Sequence, residues 1–218
     1  MRIVIAGGHG KIALLLAQVL SRRGDQVHAL IREPGQAADI AAVGGVPVIY
    51  DMERDTPAEL AAAVAGSDAV VFAAGAGAGS GAARKYTVDL NGSVQLADAA
   101  EQTGVARFVQ ISTMGAGSPP AAGTDEVWAA YIDAKTRAEQ DLRARDLAWT
   151  ILRPGQLTDT EGNGLITLGP PPIPRGAVPR ADVAATLASI LVADNTFRRT
   201  LELVSGSVPI EPAVAAIR

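Results

Sequence analysis

The chain has 218 residues, 48% of them hydrophobic, with no cysteine, two histidines and a formal net charge of −4. That is ample apolar material for the core of one domain; it excludes disulfides, thiol catalysis and a Cys/His zinc centre, and the acidic balance disfavours nucleic acid and anionic membranes as partners. A strand is predicted from residue 2, leaving no room for a signal peptide, and no apolar run approaches a membrane span, so a soluble cytoplasmic protein is expected.

Arg2 to Ala6 is a short apolar run that predicts a buried strand of a parallel sheet. After Gly7-Gly8-His9-Gly10 the pattern changes: Ile12, Leu15, Leu16, Val19 and Leu20 recur at helical spacing until Gly24. Glycines between a strand and a helix permit positive φ and a close approach of backbone to ligand. The helix end behind them offers free N–H groups and partial positive charge to a phosphate. A P-loop would need glycine at Ile5 and Ser or Thr at Ile12, and fails twice. The dinucleotide fingerprint fits instead, as Gly8-x-Gly10-x-x-Ala13, with Gly7-x-x-Gly10-x-x-Ala13 a related form.

Gln26 to Ile31 is the second predicted strand. It ends at Arg32, about twenty residues beyond the glycine turn, where an acidic residue would accept hydrogen bonds from the 2′-hydroxyl of NAD. Arg32 instead offers a planar cationic fork suited to a 2′-phosphate, so NADP is the expected cofactor; Glu33 competes and keeps NAD open. A short helix over 36–43 precedes a third strand, Val46 to Tyr50, whose Pro47 suits an edge. Asp51 then either bonds an adenine amine or closes a turn. Thr56-Pro57-Ala58-Glu59 is a capping box with proline at the first helical position, starting a helix to about Ala65.

Ala69 to Ala73 is the fourth strand. The glycine-rich stretch Ala74 to Gly81 after it is either a flap over a nicotinamide or a plain flexible loop. A long helix, Tyr86 to Thr103, is closed by Gly104. Strand five, Arg107 to Ile111, ends at Ser112-Thr113. A loop over 115–125 leads into a helix from Glu126 to Arg145. Strand six, Ala148 to Leu152, ends at Arg153-Pro154-Gly155. Residues 159–175 are irregular, with a possible strand over Leu165 to Leu168, and 156–180 is expected as a small lobe over the site. A helix over Ala181 to Val192, a strand over Leu201 to Val204 and a turn from Pro212 complete the chain. Strands alternating with helices predict an α/β, Rossmann-like doubly wound parallel sheet flanked by helices, as a single domain over 1–218 with a small C-terminal substrate lobe.

Tyr131 and Lys135 stand at i and i+4 on one helix face. A neighbouring cation stabilises a phenolate, and a phenol so placed can give a proton to a carbonyl as hydride arrives, or take one from an alcohol. Lys135 can also anchor a nicotinamide ribose, and Ser112 can hold the reacting oxygen. Alternatively, Val127, Tyr131, Ala134, Ala138 and Leu142 form an apolar stripe in which Tyr131 only packs and Lys135 snorkels beside it.

Gly7-Gly8-His9-Gly10-Lys11-Ile12-Ala13, Arg32, Asp51-Met52, Ala73-Ala74-Gly75, Ile111-Ser112-Thr113, Tyr131 with Lys135, Arg153-Pro154-Gly155 and Arg180-Ala181-Asp182-Val183-Ala184 together resemble an atypical short-chain dehydrogenase/reductase. The resemblance is to the compact NAD(P)-binding, NmrA-like and biliverdin-reductase-B-like branch of the NAD-dependent epimerase/dehydratase superfamily, and it runs nearly end to end. It implies that His9, Lys11 and Ile12 line the pyrophosphate turn with the glycines, that Ala73 to Gly75 back the adenosine and ribose, that Asp51 and Met52 are cofactor contacts, and that Pro154, Gly155 and Leu157 cover the nicotinamide. It further implies hydride transfer between NADP(H) and a small carbonyl, alcohol or flat conjugated substrate, with Ser112, Tyr131 and Lys135 catalytic, no metal, and a monomer or homodimer. A non-catalytic NADP(H) sensor and an epimerase or isomerase with tightly held nicotinamide are the alternatives. Two departures stand out. The asparagine that many members use in a proton relay is replaced by Asp89, with Asn91 two residues on. Only residues 156–218 follow strand six, which disfavours a bulky sugar nucleotide. Asp182 is expected to cap its own helix.

Overall fold

A computed structural model describes residues 1–77, 79–120 and 123–218. The strands are β1 (Arg2–Ala6), β2 (Gln26–Ile31), β3 (Val46–Ile49), β4 (Ala69–Phe72), β5 (Arg107–Ile111), β6 (Ala148–Pro154), β7 (Gln156–Thr158), β8 (Leu165–Gly169), β9 (Ala177–Pro179), β10 (Arg199–Ser205) and β11 (Val208–Pro209). The helices are α1 (Lys11–Arg22), α2 (Ala37–Ala42), α3 (Pro57–Val64), α4 (Gly81–Arg84), α5 (Asn91–Thr103), α6 (Glu126–Arg143), α7 (Arg180–Ile190) and α8 (Ile210–Ala215). One sheet runs in the order β11-β8-β10-β6-β5-β4-β1-β2-β3. β1 to β6 and β10 are parallel, while β8 is antiparallel to both β10 and β11. The order reverses between β1 and β4, and the crevice outside their carboxyl ends is where such sheets bind ligands.

The central strands are apolar throughout because both faces are covered. Ile3 and Ile5 point to one face, with Leu16 and Leu20 of α1 and Val183 and Leu187 of α7. Val4 and Ala6 point to the other, with Leu60 of α3, Leu96 of α5, Leu142 of α6 and the fully buried Phe72 and Phe108. β3 is an edge strand, where Pro47 forfeits no obligatory ladder bond. The capping box forms: the Thr56 N–H donates to Glu59 Oε2 at 2.8 Å and the Glu59 N–H to Thr56 Oγ at 3.3 Å. Among the described residues no helix is long and apolar enough to cross a membrane.

Several elements differ from the sequence expectation. The long helix from Tyr86 is divided: a π-helical turn, Lys85–Leu90, joins α4 to α5. Such a turn inserts an extra residue into the ladder and is common at functional sites; here it buries both Lys85 and Asp89. The strand expected over Leu165 to Leu168 forms, but it pairs with β10 and β11 in the main sheet, and only β7 and β9 make a separate two-stranded sheet. Asp182 does not cap α7, whose N-cap is Pro179. It accepts from the N–H groups of Gly164 at 2.9 Å and Asn163 at 3.3 Å, fixing the turn before β8. The expected flap over 74–81 includes Ala78, and the loop over 115–125 includes Ala121 and Ala122, which lie outside the described residues.

Candidate functional site

The turn after β1 is built on close backbone contacts. Gly7 has φ +77°, and a Cβ there would lie 2.5 Å from Ala74 Cα; a Cβ on Gly8 would lie 2.6 Å from that of Ala29. The Gly8 N–H donates to Leu30 O at 2.9 Å and the Gly10 N–H to Gly7 O at 3.0 Å. The bond from Leu14 N to Gly10 O opens the ladder of α1, so the N–H groups of Lys11, Ile12 and Ala13 have no carbonyl within the helix. No acidic residue stands in that first turn to cancel the partial positive charge. The turn therefore fits a pyrophosphate.

From this turn a cleft of about 330 Å³ runs along the carboxyl ends of β1 to β4, lined by Gly7, His9, Gly10, Arg32, Asp51, Met52, Ala73, Ala74 and Gly75 among others. Arg32 is half exposed at the end of β2, with its Nε 3.1 Å from Glu33 Oε1. Its terminal nitrogens make no hydrogen bond among the described residues. Asp51 takes the turn role: its Oδ1 accepts from the Glu53 N–H at 2.9 Å. His9 reaches α2, with Nε2 2.7 Å from Asp39 Oδ2. Lys11 extends to Asp159 Oδ2 at 2.6 Å, and Arg180 donates to the other oxygen of Asp159 at 2.6 Å. The hydrogen bond from Lys11, with Arg180 beside it, holds the Asp159 carboxyl below its usual pKa. Ile12 and Leu157 pack their side chains against the core beneath α1 and α7.

Two charged cleft residues escaped the sequence reading. Glu53, after β3, and Arg84 of α4 both line the cleft and form an ion pair. The bonds to Glu53 from Arg84 and from Thr87 Oγ, the latter at 2.7 Å, keep its carboxyl below the ordinary carboxylate pKa. Thirty-one residues separate the two partners, so no local spacing announces the pair.

Beyond the cleft lie the residues expected to do chemistry. Tyr131 is half-buried, its ring centroid 5.7 Å from Lys85 Nζ, 5.8 Å from Lys135 Nζ and 5.3 Å from the Trp128 ring. Its hydroxyl makes no hydrogen bond among the described residues. Lys135 is 3% exposed. Its Nζ lies 3.2 Å from Asp89 Oδ1, an ion pair rather than an aligned hydrogen bond, since that oxygen has no hydrogen-bond partner. The same ammonium donates to Ile111 O at 3.2 Å and Ala74 O at 3.5 Å, while Asp89 Oδ2 accepts from the Ala76 N–H at 3.0 Å. The Asp89–Lys135 pair thus grips Ala74 to Ala76, which form one wall of the cleft. The fold brings Tyr131, Lys135 and the unforeseen Lys85 together.

Ser112 faces elsewhere. Its hydroxyl donates to Glu139 Oε1 at 2.6 Å. Glu139 is fully buried and also accepts from Arg153 Nε at 2.8 Å and Nη2 at 2.5 Å, and from Arg143 at 2.8 Å. Its place was readable, since 131, 135 and 139 lie one turn apart on one face of α6; the arginine opposite it was not. Pro154 O accepts from the Met114 N–H at 3.1 Å, and the Gly155 N–H donates to Leu203 O at 2.9 Å, so this segment joins the ends of β5, β6 and β10.

A family model described as NAD(P)H-binding matches residues 7–194. YhfK of Bacillus subtilis, named an uncharacterised sugar epimerase, is 33% identical over 215 residues, spanning 98% of this chain and 99% of its own. A solved structure from Bacillus halodurans, provisionally named an NAD-dependent epimerase/dehydratase, is 32% identical with a TM-score of 0.90 and covers 98% of each chain. The structure of ylbE from Lactococcus lactis, named an oxidoreductase, is 29% identical with a TM-score of 0.84, covering 100% of this chain and 96% of that one.

Proposed function

We propose that this chain, which belongs to the NAD(P)H-binding family, is an NADP(H)-dependent oxidoreductase acting on a small carbonyl or alcohol substrate. The observation that carries the reading is Tyr131, its hydroxyl without a hydrogen-bond partner among the described residues and its ring under two ammonium groups, one of which, Lys135, also bonds the Ala74 carbonyl in the wall of the cleft. The residues fit the cofactor: the glycine turn and the start of α1 hold the pyrophosphate, and the free edge of Arg32 holds the 2′-phosphate. Bound there, the nicotinamide supplies or accepts hydride.

The chain's own groups do the rest. Tyr131 gives a proton to the substrate oxygen, or takes one in reverse, and the ammoniums of Lys85 and Lys135 lie over its ring. Ser112, whose proton is committed to Glu139, ties the end of β5 to α6 and does not touch the substrate. Lys135, sealed against Asp89, positions the cleft wall. That sealing favours a second reading, a non-catalytic NADP(H) sensor, because Lys135 does not stand open to a ribose. NADPH consumption with a panel of small aldehydes, ketones and quinones separates the two. Turnover with at least one carbonyl class is expected; tight NADPH binding with no turnover across the panel selects the sensor.

A further inference from the structure

A second cavity, of about 400 Å³, opens beyond Ser112 and shares no lining residue with the cofactor cleft. The segment after β5, the loop over 171–175, Arg153 near the end of β6 and Glu202 in the middle of β10 line it. Arg153 and Glu202 are direct register partners on adjacent parallel strands, and each is only 7% exposed. Opposite charges so placed would ordinarily meet, because a buried charge without a partner is costly. These two do not. Arg153 is turned to Glu139 through Nε and Nη2, which leaves Nη1 without a protein partner among the described residues. Glu202 uses Oε2 to accept from the Ile173 N–H at 2.9 Å, and Oε1 has no hydrogen-bond partner among the described residues. At the rim stands Arg175, exposed and with no ion pair or hydrogen bond among the described residues.

We infer that this cavity is a subsite for a small hydroxycarboxylate. Its carboxylate lies between the Arg153 Nη1 edge and Arg175, and its hydroxyl donates to Glu202 Oε1. A donor and an anionic acceptor on neighbouring atoms are what the separated pair requires; a purely anionic ligand would face Glu202 unscreened, and a neutral one would leave Arg175 unmatched. This pocket is a separate site, with no lining residue in common with the cleft and none from the Tyr131 centre. Glu139 ties it to the end of β5, since that carboxylate holds both Arg153 and the Ser112 hydroxyl.

The test uses mandelate as the probe, with 1-phenylethanol as the analogue lacking the carboxylate, followed by ligand-observed saturation-transfer NMR on the NADPH-saturated protein. Mandelate is expected to bind, and Arg175→Gln to weaken it roughly tenfold, the weight of one hydrogen bond to a charged group; 1-phenylethanol should bind weakly and equally to both proteins. Arg175 is exposed, so its replacement leaves the fold intact. Absence of mandelate binding, an affinity unchanged in the variant, or displacement of mandelate by excess NADP⁺ overturns the subsite. NADPH affinity in the same samples is read separately: NADPH bound without mandelate sinks the subsite alone, whereas mandelate bound and sensitive to Arg175, with no NADPH binding, sinks the oxidoreductase reading alone.

Discussion

Glu139→Ala is expected to lower the unfolding free energy by about 3–5 kcal/mol, the loss that follows when one member of a buried charge cluster is removed. Glu139 is the common acceptor for Ser112, Arg153 and Arg143, and it has no exposure to water. Its removal leaves the Arg153 guanidinium buried with two donors unpaired. Arg143→Ala tests the same cluster from its wetter side. That side chain is 36% exposed, and its loss should cost about 1 kcal/mol or less, as for an exposed pair. Urea denaturation of both variants measures the contrast. Equal losses would mean that the carboxylate is not the keystone of the junction between α6, β5 and β6.

Tyr131→Phe should reduce turnover by about 10²–10⁴-fold, the usual worth of a positioned proton donor, while leaving NADPH affinity and stability nearly unchanged. The ring contributes packing against Trp128 and sits under two ammoniums, and phenylalanine keeps all of that. Only the hydroxyl goes, and among the described residues it has no hydrogen-bond partner to lose. Steady-state rates and NADPH affinity measured side by side give the answer. Full activity in the variant would return Tyr131 to the apolar stripe of α6.

The first half of the fold is transparent in the sequence because local rules agree there. Continuously apolar strands, Gly7-Gly8-His9-Gly10 and the Thr56 box each specify one structure by steric or capping chemistry that acts within a few residues. The cleft residues Arg32, Asp51 and Ala73 to Gly75 follow from being at strand ends. What stays hidden depends on distant partners. Spacing places Lys135 under Tyr131, but only Asp89, brought in by the π turn, shows that its ammonium is sealed against the cleft wall. Ser112 is a strand-end hydroxyl in sequence; its commitment to Glu139 needs α6 laid across β5. β8 looks like lobe material because its apolar run is short, and only the free edge of β10 draws it into the sheet.

The central claim is that the cleft takes a nicotinamide dinucleotide bearing a 2′-phosphate read by Arg32. Its most direct test is nicotinamide-fluorescence titration of the wild type and Arg32→Ala with NADPH and with NADH. The expected result is tighter binding of NADPH by roughly tenfold or more, from charge-assisted bonds to the phosphate, with the preference lost in the variant and NADH affinity unchanged. Equal affinity for both cofactors in the wild type would contradict the role of Arg32, and no binding of either would reduce the glycine turn to a packing device.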